Sequence, residues 1–212
     1  MPVTPRIVLV GGGAFAREVL CWIEQAQAAQ ALPERLGYLD REATLAGNGR
    51  YNLDYLGDIA EFTPGPHDRL VMAVGDPHGK RHTAEILSGR GGTFQSIIHP
   101  SAVIASTARI GHGCVICPLS LVSADANVAD LVSINTMSSV GHDVQVGQYT
   151  TLSSHVDLMG SVVVEDLVFL GSGSRVLPKV KVKAGAKIGA GSVVGRTVKE
   201  GATMYTSFAR RL

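Results

Sequence analysis

The chain has few of the features that mark secreted, membrane-bound or nucleic-acid-binding proteins. Only three cysteines occur among its 212 residues, so any disulfide scheme leaves one thiol unpaired, as is typical of a reducing cytoplasm. There is no run of 18 apolar residues and no signal-peptide pattern ahead of the first strand, so we expect neither a membrane span nor export. The formal net charge of +1 provides neither a basic nucleic-acid surface nor an acidic tail. The sequence therefore predicts a cytoplasmic protein without membrane or nucleic-acid partners.

What the sequence does contain is a long repeat of six residues. From Ser101 to Arg196 the fourth place of all 16 consecutive units is aliphatic. The second place is small or β-branched, as expected for a side chain that points into a narrow interior. A period of six is too short for a helical repeat and indicates a parallel β-helix, in which each strand stacks on the strand one coil earlier.

Two of the cysteines form a C-x-x-C pair, Cys114 and Cys117. Such pairs occur in zinc and redox sites, but a zinc site needs further ligands and no second pair exists here. Cys114 also occupies the inward second place of its repeat unit. We therefore expect structural thiols and no metal.

The part of the chain before the repeat reads as alternating strands and helices. We predict strands at 7–10, 36–39, 70–74 and 93–98, a helix from about 17 to 31, and shorter helices near 58–62 and 82–87. This order indicates a small Rossmann-like α/β domain over 1–98 with about four parallel strands. The β-helix domain then covers 99–212, including a short C-terminal tail.

A glycine turn between the first strand and the first helix is typical of phosphate-binding sites. Gly11, Gly13 and Ala16 fit the pattern G-x-G-x-x-G/A, and the helix that follows offers free N–H groups at its start. Asp40 ends the second strand, where an acidic residue can bind a ribose or a base. An NAD-dependent oxidoreductase is one interpretation, but it needs a substrate domain beside the nicotinamide. The uniform prism after residue 100 does not provide one.

Several stretches together resemble a known family over nearly the whole chain. They are GGGAFAREV, YLD, AVGD, IIHPSAVI, INT, SSVGHD and LGSGSRVLP. The chain resembles the nucleotide-linked amino-sugar N-acetyltransferases of the hexapeptide-repeat type, the PglD and PerB kind, which are related to sialic-acid O-acetyltransferases. The resemblance implies a left-handed β-helix and a homotrimer that binds acetyl-CoA between neighbouring prisms. It also implies acetylation of a nucleotide-linked 4-amino-4,6-dideoxy sugar, such as GDP-perosamine or a UDP-linked equivalent, for a surface glycan.

The same resemblance implies a catalytic group on the β-helix. The family's general base corresponds to His142, which takes the sixth, corner place of its unit and can therefore face a ligand along the prism. Imidazoles in general titrate near neutrality and suit this task. Asp143 corresponds to an acid that orients the imidazole, provided that a corner turns it back towards His142. Gly160 corresponds to a backbone donor for the thioester oxygen.

Binding residues follow from the resemblance in the same way. For the nucleotide sugar they are Gly13, Ala14, Phe15, Ala16, Asp40, Gly75, Asp76 and Asn135. For coenzyme A they are Thr151, Gly160, Ser172 and Ala190. Two departures stand out. Thr151 occupies the place of the relatives' second histidine, with His155 four residues later, and Ala14-Phe15-Ala16 replaces their G-H-G.

Three alternatives stay open at this point. O-acetylation of a sugar or of sialic acid would use the same base on a poorer nucleophile. An NAD-dependent oxidoreductase would bind a nicotinamide, and a non-catalytic protein that binds sugar nucleotides would release no thiol from acetyl-CoA.

Overall fold

The structure, a computed structural model, describes residues 5–33, 35–43, 45, 51 and 53–207. The outer ends of the two predicted domains, 1–4 and 208–212, lie outside the described residues. The described chain forms a small parallel sheet with two helices, followed by a long β-helix of parallel strands.

The N-terminal sheet has four parallel strands: β1 (Arg6–Val10), β2 (Arg35–Leu39), β3 (Asp54–Tyr55) and β4 (Asp68–Met72). Their order is β3-β2-β1-β4, and β1 pairs in parallel with both β2 and β4. The carboxyl ends of these strands therefore meet at one edge of the sheet. The segments that follow β1, β2 and β4 all begin at that edge.

Two helices accompany this sheet, α1 (Ala14–Gln30) and α2 (Pro77–Gly89). Helix α1 buries side chains at helical spacing, as expected for one face packed on a core. Those residues are Ala16, Val19, Leu20, Ile23 and Ala26. Helix α2 begins where Asp76 caps the N–H of Gly79 at 2.7 Å and proline occupies the first turn, both favourable features for a helix start. Neither helix combines the length and the apolar character needed to cross a bilayer, within the part of the chain that the structure describes.

The β-helix consists of three parallel sheets that the chain visits in turn. Paired strands are 18 residues apart in sequence, except for the last pair of the first sheet, which is 16 residues apart. We call the first sheet the docking face: β5 (Ile97–Ile98), β8 (Val115–Ile116), β11 (Ser133–Ile134), β14 (Thr151–Leu152), β17 (Phe169–Leu170), β20 (Lys187–Ile188) and β22 (Thr203–Met204). The second face contains β6 (Val103–Ile104), β9 (Leu121–Val122), β12 (Ser139–Val140), β15 (Asp157–Leu158), β18 (Arg175–Val176) and β21 (Val193–Val194). The third face contains β7 (Arg109–Ile110), β10 (Asn127–Val128), β13 (Gln145–Val146), β16 (Val163–Val164) and β19 (Lys181–Val182).

The repeat places its second and fourth residues inside the prism, as the sequence predicted. Both sets form one buried cluster that extends along the β-helix. The fourth-place residues are fully buried from Ile116 to Ile188, whereas Ile104 and Ile110 in the first coil are partly covered. The β-helix interpretation is therefore confirmed.

The N-terminal sheet and its helices pack against the docking face. Residues of β1 and α1 form a buried cluster with Ile97 and Val115, and residues of β4 and α2 form another with Leu131. The corner between the second and third faces lies opposite the docking face. That corner is therefore remote from the N-terminal sheet of the same chain.

Three details of the predicted elements differ from the structure. Residues 59–61 form a turn instead of a helix, and α2 begins at Pro77 instead of near residue 82. The predicted strand at 93–98 does not extend the N-terminal sheet beyond a single bridge between Phe94 and Leu70. Ile97–Ile98 instead pairs with β8, because its apolar side chains already follow the β-helix register.

Candidate active site

His142 and Asp143 form a pair at the corner between the second and third faces. The Nδ1 atom of His142 lies 2.8 Å from Oδ2 of Asp143, and both side chains are exposed. Asp143 has a φ of 60°, so the left-handed backbone turns its side chain back towards the preceding residue. The corner that the sequence required is present, and it brings these two predicted residues together.

Gly160 lies one coil beyond His142 at the same corner. A Cβ atom at this position would approach Nε2 of His142 to 2.4 Å, so the imidazole lies directly against the backbone of Gly160. The carbonyl of His142 accepts from the N–H of Ser161 at 2.9 Å, which fixes the spacing of the two coils. Only a residue without a side chain leaves the ring in this place.

The backbone N–H of Gly160 is available to a ligand. Among the described residues it has no hydrogen-bond acceptor, whereas its carbonyl accepts from the N–H of Lys179 at 3.1 Å. The open side of His142 and an unpaired backbone donor thus lie side by side. This arrangement can remove a proton from one group and stabilise a developing oxyanion on another.

The predicted nucleotide-binding residues meet at the carboxyl edge of the N-terminal sheet. Gly13 to Ala16 follow β1, Asp40 follows β2, and Gly75 with Asp76 follow β4. Gly11 has a φ of 110° and would bring a Cβ to 3.2 Å from the carbonyl oxygen of Ala73, so the turn requires glycine. The structure therefore brings these segments together.

No side chain of the described residues caps the start of α1. Gly13 is its N-cap residue, and the first turn contains no acidic residue. Gly13 and Ala14 are exposed and Phe15 is half-buried, whereas Ala16 is buried in the core. Contacts of a ligand at Ala16 would therefore use its backbone. Free N–H groups and the helix dipole favour an anion here.

The two acidic residues at this edge already have protein partners. The carboxylate of Asp76 accepts from Gly79 N at 2.7 Å and caps α2. That of Asp40 accepts from Arg41 N at 2.8 Å, while the hydroxyl of Tyr55 donates to the Asp40 carbonyl at 3.1 Å. Among the described residues only one carboxylate oxygen of Asp40 has a partner, whereas Asp76 has a structural task that the sequence analysis missed.

Three other predicted residues share the corner between the docking and second faces. Asn135, Ser172 and Ala190 follow β11, β17 and β20 respectively. Ser172 and Ala190 are exposed and lie one coil apart, and the Ser172 carbonyl accepts from Gly191 N at 2.9 Å. Within one chain this corner lies across the second face from His142.

Thr151 lies in a different environment from the one its predicted role requires. Its side chain is 3% exposed, and its hydroxyl donates to the carbonyl of Gly75 at 2.8 Å and accepts from Lys80 at 2.9 Å. The hydroxyl is thus occupied between the N-terminal part and the docking face. This geometry disfavours direct contact of Thr151 with coenzyme A.

Lys80 is the residue of this region that the sequence analysis did not identify. It belongs to α2 and is fully buried, and burial lowers the pKa of its ammonium group to about 7. No sequence signal distinguishes it from a surface lysine, because its acceptors come from strands more than 50 residues away.

The two free cysteines of the C-x-x-C stretch are packed inside the protein. Cys114 and Cys117 are buried, and burial raises the pKa of their thiols to about 11 and about 12. The described residues contain no group of three or more potential metal ligands.

Comparisons with known proteins find acetyltransferases at modest sequence identity. No family model matches the sequence. Over 168 residues the chain is 27% identical to GDP-perosamine N-acetyltransferase of Escherichia coli O157:H7, which covers 78% of this chain and 75% of that protein. PerB from Caulobacter crescentus, solved in complex with CoA and GDP-perosamine, matches with a TM-score of 0.82 and 28% identity, over 96% of this chain and 95% of that chain.

A third protein shares the fold over the whole length. The acetyltransferase domain of PglB from Neisseria gonorrhoeae FA1090 matches with a TM-score of 0.84 and 24% identity, over 99% of this chain and 100% of that chain. The similarities in sequence and in fold therefore lead to the same group of proteins. The chain is an acyltransferase of the hexapeptide-repeat β-helix type, similar to the GDP-perosamine N-acetyltransferases.

Proposed function

We propose that this chain transfers the acetyl group of acetyl-CoA to the 4-amino group of a nucleotide-linked 4-amino-4,6-dideoxy sugar. GDP-perosamine or a UDP-linked equivalent is the proposed acceptor. The observation that carries the proposal is the arrangement of His142, Asp143 and the free N–H of Gly160 at one corner of the β-helix. The likeness to PerB, solved with CoA and GDP-perosamine, supports the choice of substrates.

The pair at this corner suits His142 as a general base. If Nδ1 donates its proton to Asp143, Nε2, which lies beside Gly160, keeps its lone pair to accept a proton. The acceptor nitrogen attacks the thioester carbon and passes a proton to Nε2, while the N–H of Gly160 donates to the oxyanion. The new C–N bond forms, the C–S bond breaks, and CoA leaves as a thiolate that takes a proton to become the thiol. No metal is required.

The N-terminal sheet would bind the nucleotide. Its parallel order and the uncapped start of α1 support a Rossmann-like interpretation, with phosphates at Gly13 to Ala16. Asp40 would accept from the ribose or the base. The left-handed sense of the β-helix coil belongs to the same proposal.

One geometric fact favours a site built from more than one copy. Asn135, Ser172 and the N-terminal sheet lie on the docking-face side of the prism, whereas His142 lies at the opposite corner. In a homotrimer packed through the second face, the His142 corner of one copy meets the Ser172 corner of the next. In a cyclic trimer of this kind, one edge of the second face of each copy contacts the other edge of that face on the next copy.

The second face has the composition that such packing needs. Most large exposed apolar side chains of the described residues lie on this face or on its border with the docking face. They are Val103, Leu119, Leu121, Met137 and Val193. An exposed apolar surface of this kind is typical of protein interfaces. We therefore propose that the homotrimer forms through the second face.

Mixed trimers test the shared site. We expect His142→Ala and Ser172→Trp each to be inactive alone, because the first lacks the base and the second blocks the CoA side. Co-expressed chains should recover about a quarter of wild-type activity, since random assembly pairs an intact His142 with an intact Ser172 at about one interface in four. Co-expression of wild type with each variant calibrates the mixing. Trimers that stay inactive would contradict the shared site.

A substrate panel tests the function itself. Thiol release from acetyl-CoA would be followed with GDP-, UDP- and dTDP-linked 4-amino-4,6-dideoxy sugars, and with the matching 4-hydroxy sugars as controls. We expect release with one amino sugar and none with its hydroxy counterpart, because the amine is the better nucleophile. Release only with a hydroxy sugar or sialic acid would assign O-acetylation instead. If none of these acceptors gave thiol release, the proposal would be contradicted.

A further inference from the structure

A single ammonium group joins α2 to the docking face. The Nζ atom of Lys80 donates to Ser133 Oγ at 2.9 Å, to Thr151 Oγ1 at 2.9 Å and to the carbonyl of Thr150 at 3.2 Å. In its ammonium form these contacts use all three of its N–H donors. Lys80 is therefore fully satisfied by oxygens of the β-helix.

The contacts select particular coils. Ser133 belongs to the unit directly before the one that ends in His142, and Thr150 with Thr151 belongs to the unit directly before the one that ends in Gly160. Lys80 thus bonds to the two successive coils that contain the proposed base and the proposed oxyanion donor. Other coils of the docking face have no hydrogen bond to Lys80 among the described residues.

Through Thr151 these contacts extend to the carboxyl edge of the N-terminal sheet, where we propose that the nucleotide binds. Thr151 accepts from Lys80 and donates to the carbonyl of Gly75 at 2.8 Å. Gly75 directly precedes Asp76, which caps α2, the helix that contains Lys80. The turn after β4, the helix and the two coils therefore form one closed set of hydrogen bonds.

Stability alone does not account for a charge at this place. Lys80 has no ion pair among the described residues, and Asp76 and Cys114 are the titratable groups that act on it through space. Burying an ammonium group without a carboxylate partner is costly. What the ammonium group supplies is three directed bonds that fix one position.

We propose that Lys80 is a positioning residue that holds the Gly75–Asp76 turn at a fixed height beside the coils of His142 and Gly160. This role rests on the proposed function, because its purpose is to present the bound nucleotide sugar at the level of the base. Small displacements of a reacting group cost large factors in rate. Lys80 touches neither substrate in this role and acts through the turn.

Three variants test the proposal. Lys80→Met keeps the length of the side chain without its donors, Thr151→Val keeps the shape of the side chain without its hydroxyl, and Thr151→Ser restores that hydroxyl. We expect kcat/KM for the nucleotide sugar to fall by about 30- to 100-fold in the first two variants. KM for acetyl-CoA should stay within about twofold, and Thr151→Ser should recover most of the activity. Arg81→Met, the exposed neighbour on α2, is the matched control and should behave as wild type.

Hydrogen exchange supplies a readout that does not depend on turnover. We expect faster amide exchange over 75–80 in Lys80→Met and Thr151→Val, and wild-type exchange in Arg81→Met. If Lys80→Met does not fold, Thr151→Val still decides the question. Equal losses towards both substrates, or unchanged kinetics in folded variants, would overturn the positioning role. Absence of acetyl transfer by the wild type would contradict the proposed function, while the exchange data would still decide whether the contact fixes the turn.

Discussion

Replacing His142 with Asn is expected to lower kcat by about 10²- to 10⁴-fold, the range associated with loss of a positioned general base. Asparagine keeps a polar side chain of similar reach but has no basic nitrogen for the acceptor amine. His142 is exposed at its corner, so its loss leaves the buried core of the prism untouched. Initial rates of thiol release with saturating acetyl-CoA and nucleotide sugar measure the effect.

A second histidine serves as the matched control. His112 also takes the exposed sixth place of a unit, at the corner between the third and docking faces. His112→Asn should keep wild-type rates, and both variants should show wild-type circular dichroism. Full activity of His142→Asn would remove the proposed mechanism. Equal losses in both variants would show that the effect is on folding.

Replacing Gly160 with Ala is expected to lower kcat by about 10²-fold while the fold persists. The added methyl group would lie 2.4 Å from Nε2 of His142, so the imidazole has to move away from its productive position. The backbone itself accepts alanine, because Ala184 and Ala190 occupy the same sixth place in other units. The free energy of unfolding should change by about 1 kcal/mol or less. Steady-state kinetics and urea unfolding of the same preparation measure both quantities.

The control for this variant is another glycine near the same corner. A Cβ at Gly195 would meet only the Leu177 side chain, at an ordinary 3.5 Å, so Gly195→Ala should keep wild-type rates. In a His142→Ala background, Gly160→Ala should have little further effect, because the group with which it clashes is gone. An additive loss in the double variant would show that Gly160 acts independently of His142.

The β-helix was predictable because it depends on a short sequence period. A side chain at the fourth place of a six-residue unit must point inwards in every coil, so the β-helix core followed from one pattern. The pairing of His142 with Asp143 came from the family resemblance and depended on a corner that turns the two side chains towards each other, which the structure contains.

The contacts between the N-terminal part and the prism were not predictable in this way. Lys80 and Thr151 meet across 71 residues of sequence, and nothing local distinguishes a lysine that points into a protein from one that points into water. Thr151 was therefore assigned to the cofactor, although its hydroxyl bonds to Lys80 and Gly75. The strand predicted at 93–98 was misassigned for a related reason, since an apolar run does not specify which sheet it joins.

The coil spacing of the prism has a consequence for substrate length. Successive coils are one strand spacing apart, about 4.8 Å, so the N-terminal part can dock only at discrete heights above the His142 corner. The position of the N-terminal part along the prism can therefore change only in steps of one coil. An acceptor whose reacting nitrogen lay one sugar ring further from its nucleotide would need the N-terminal part to bind a different pair of coils. The bonds from Lys80 to the coils of Ser133 and Thr151 would then select substrates by their length, independently of which base the nucleotide carries.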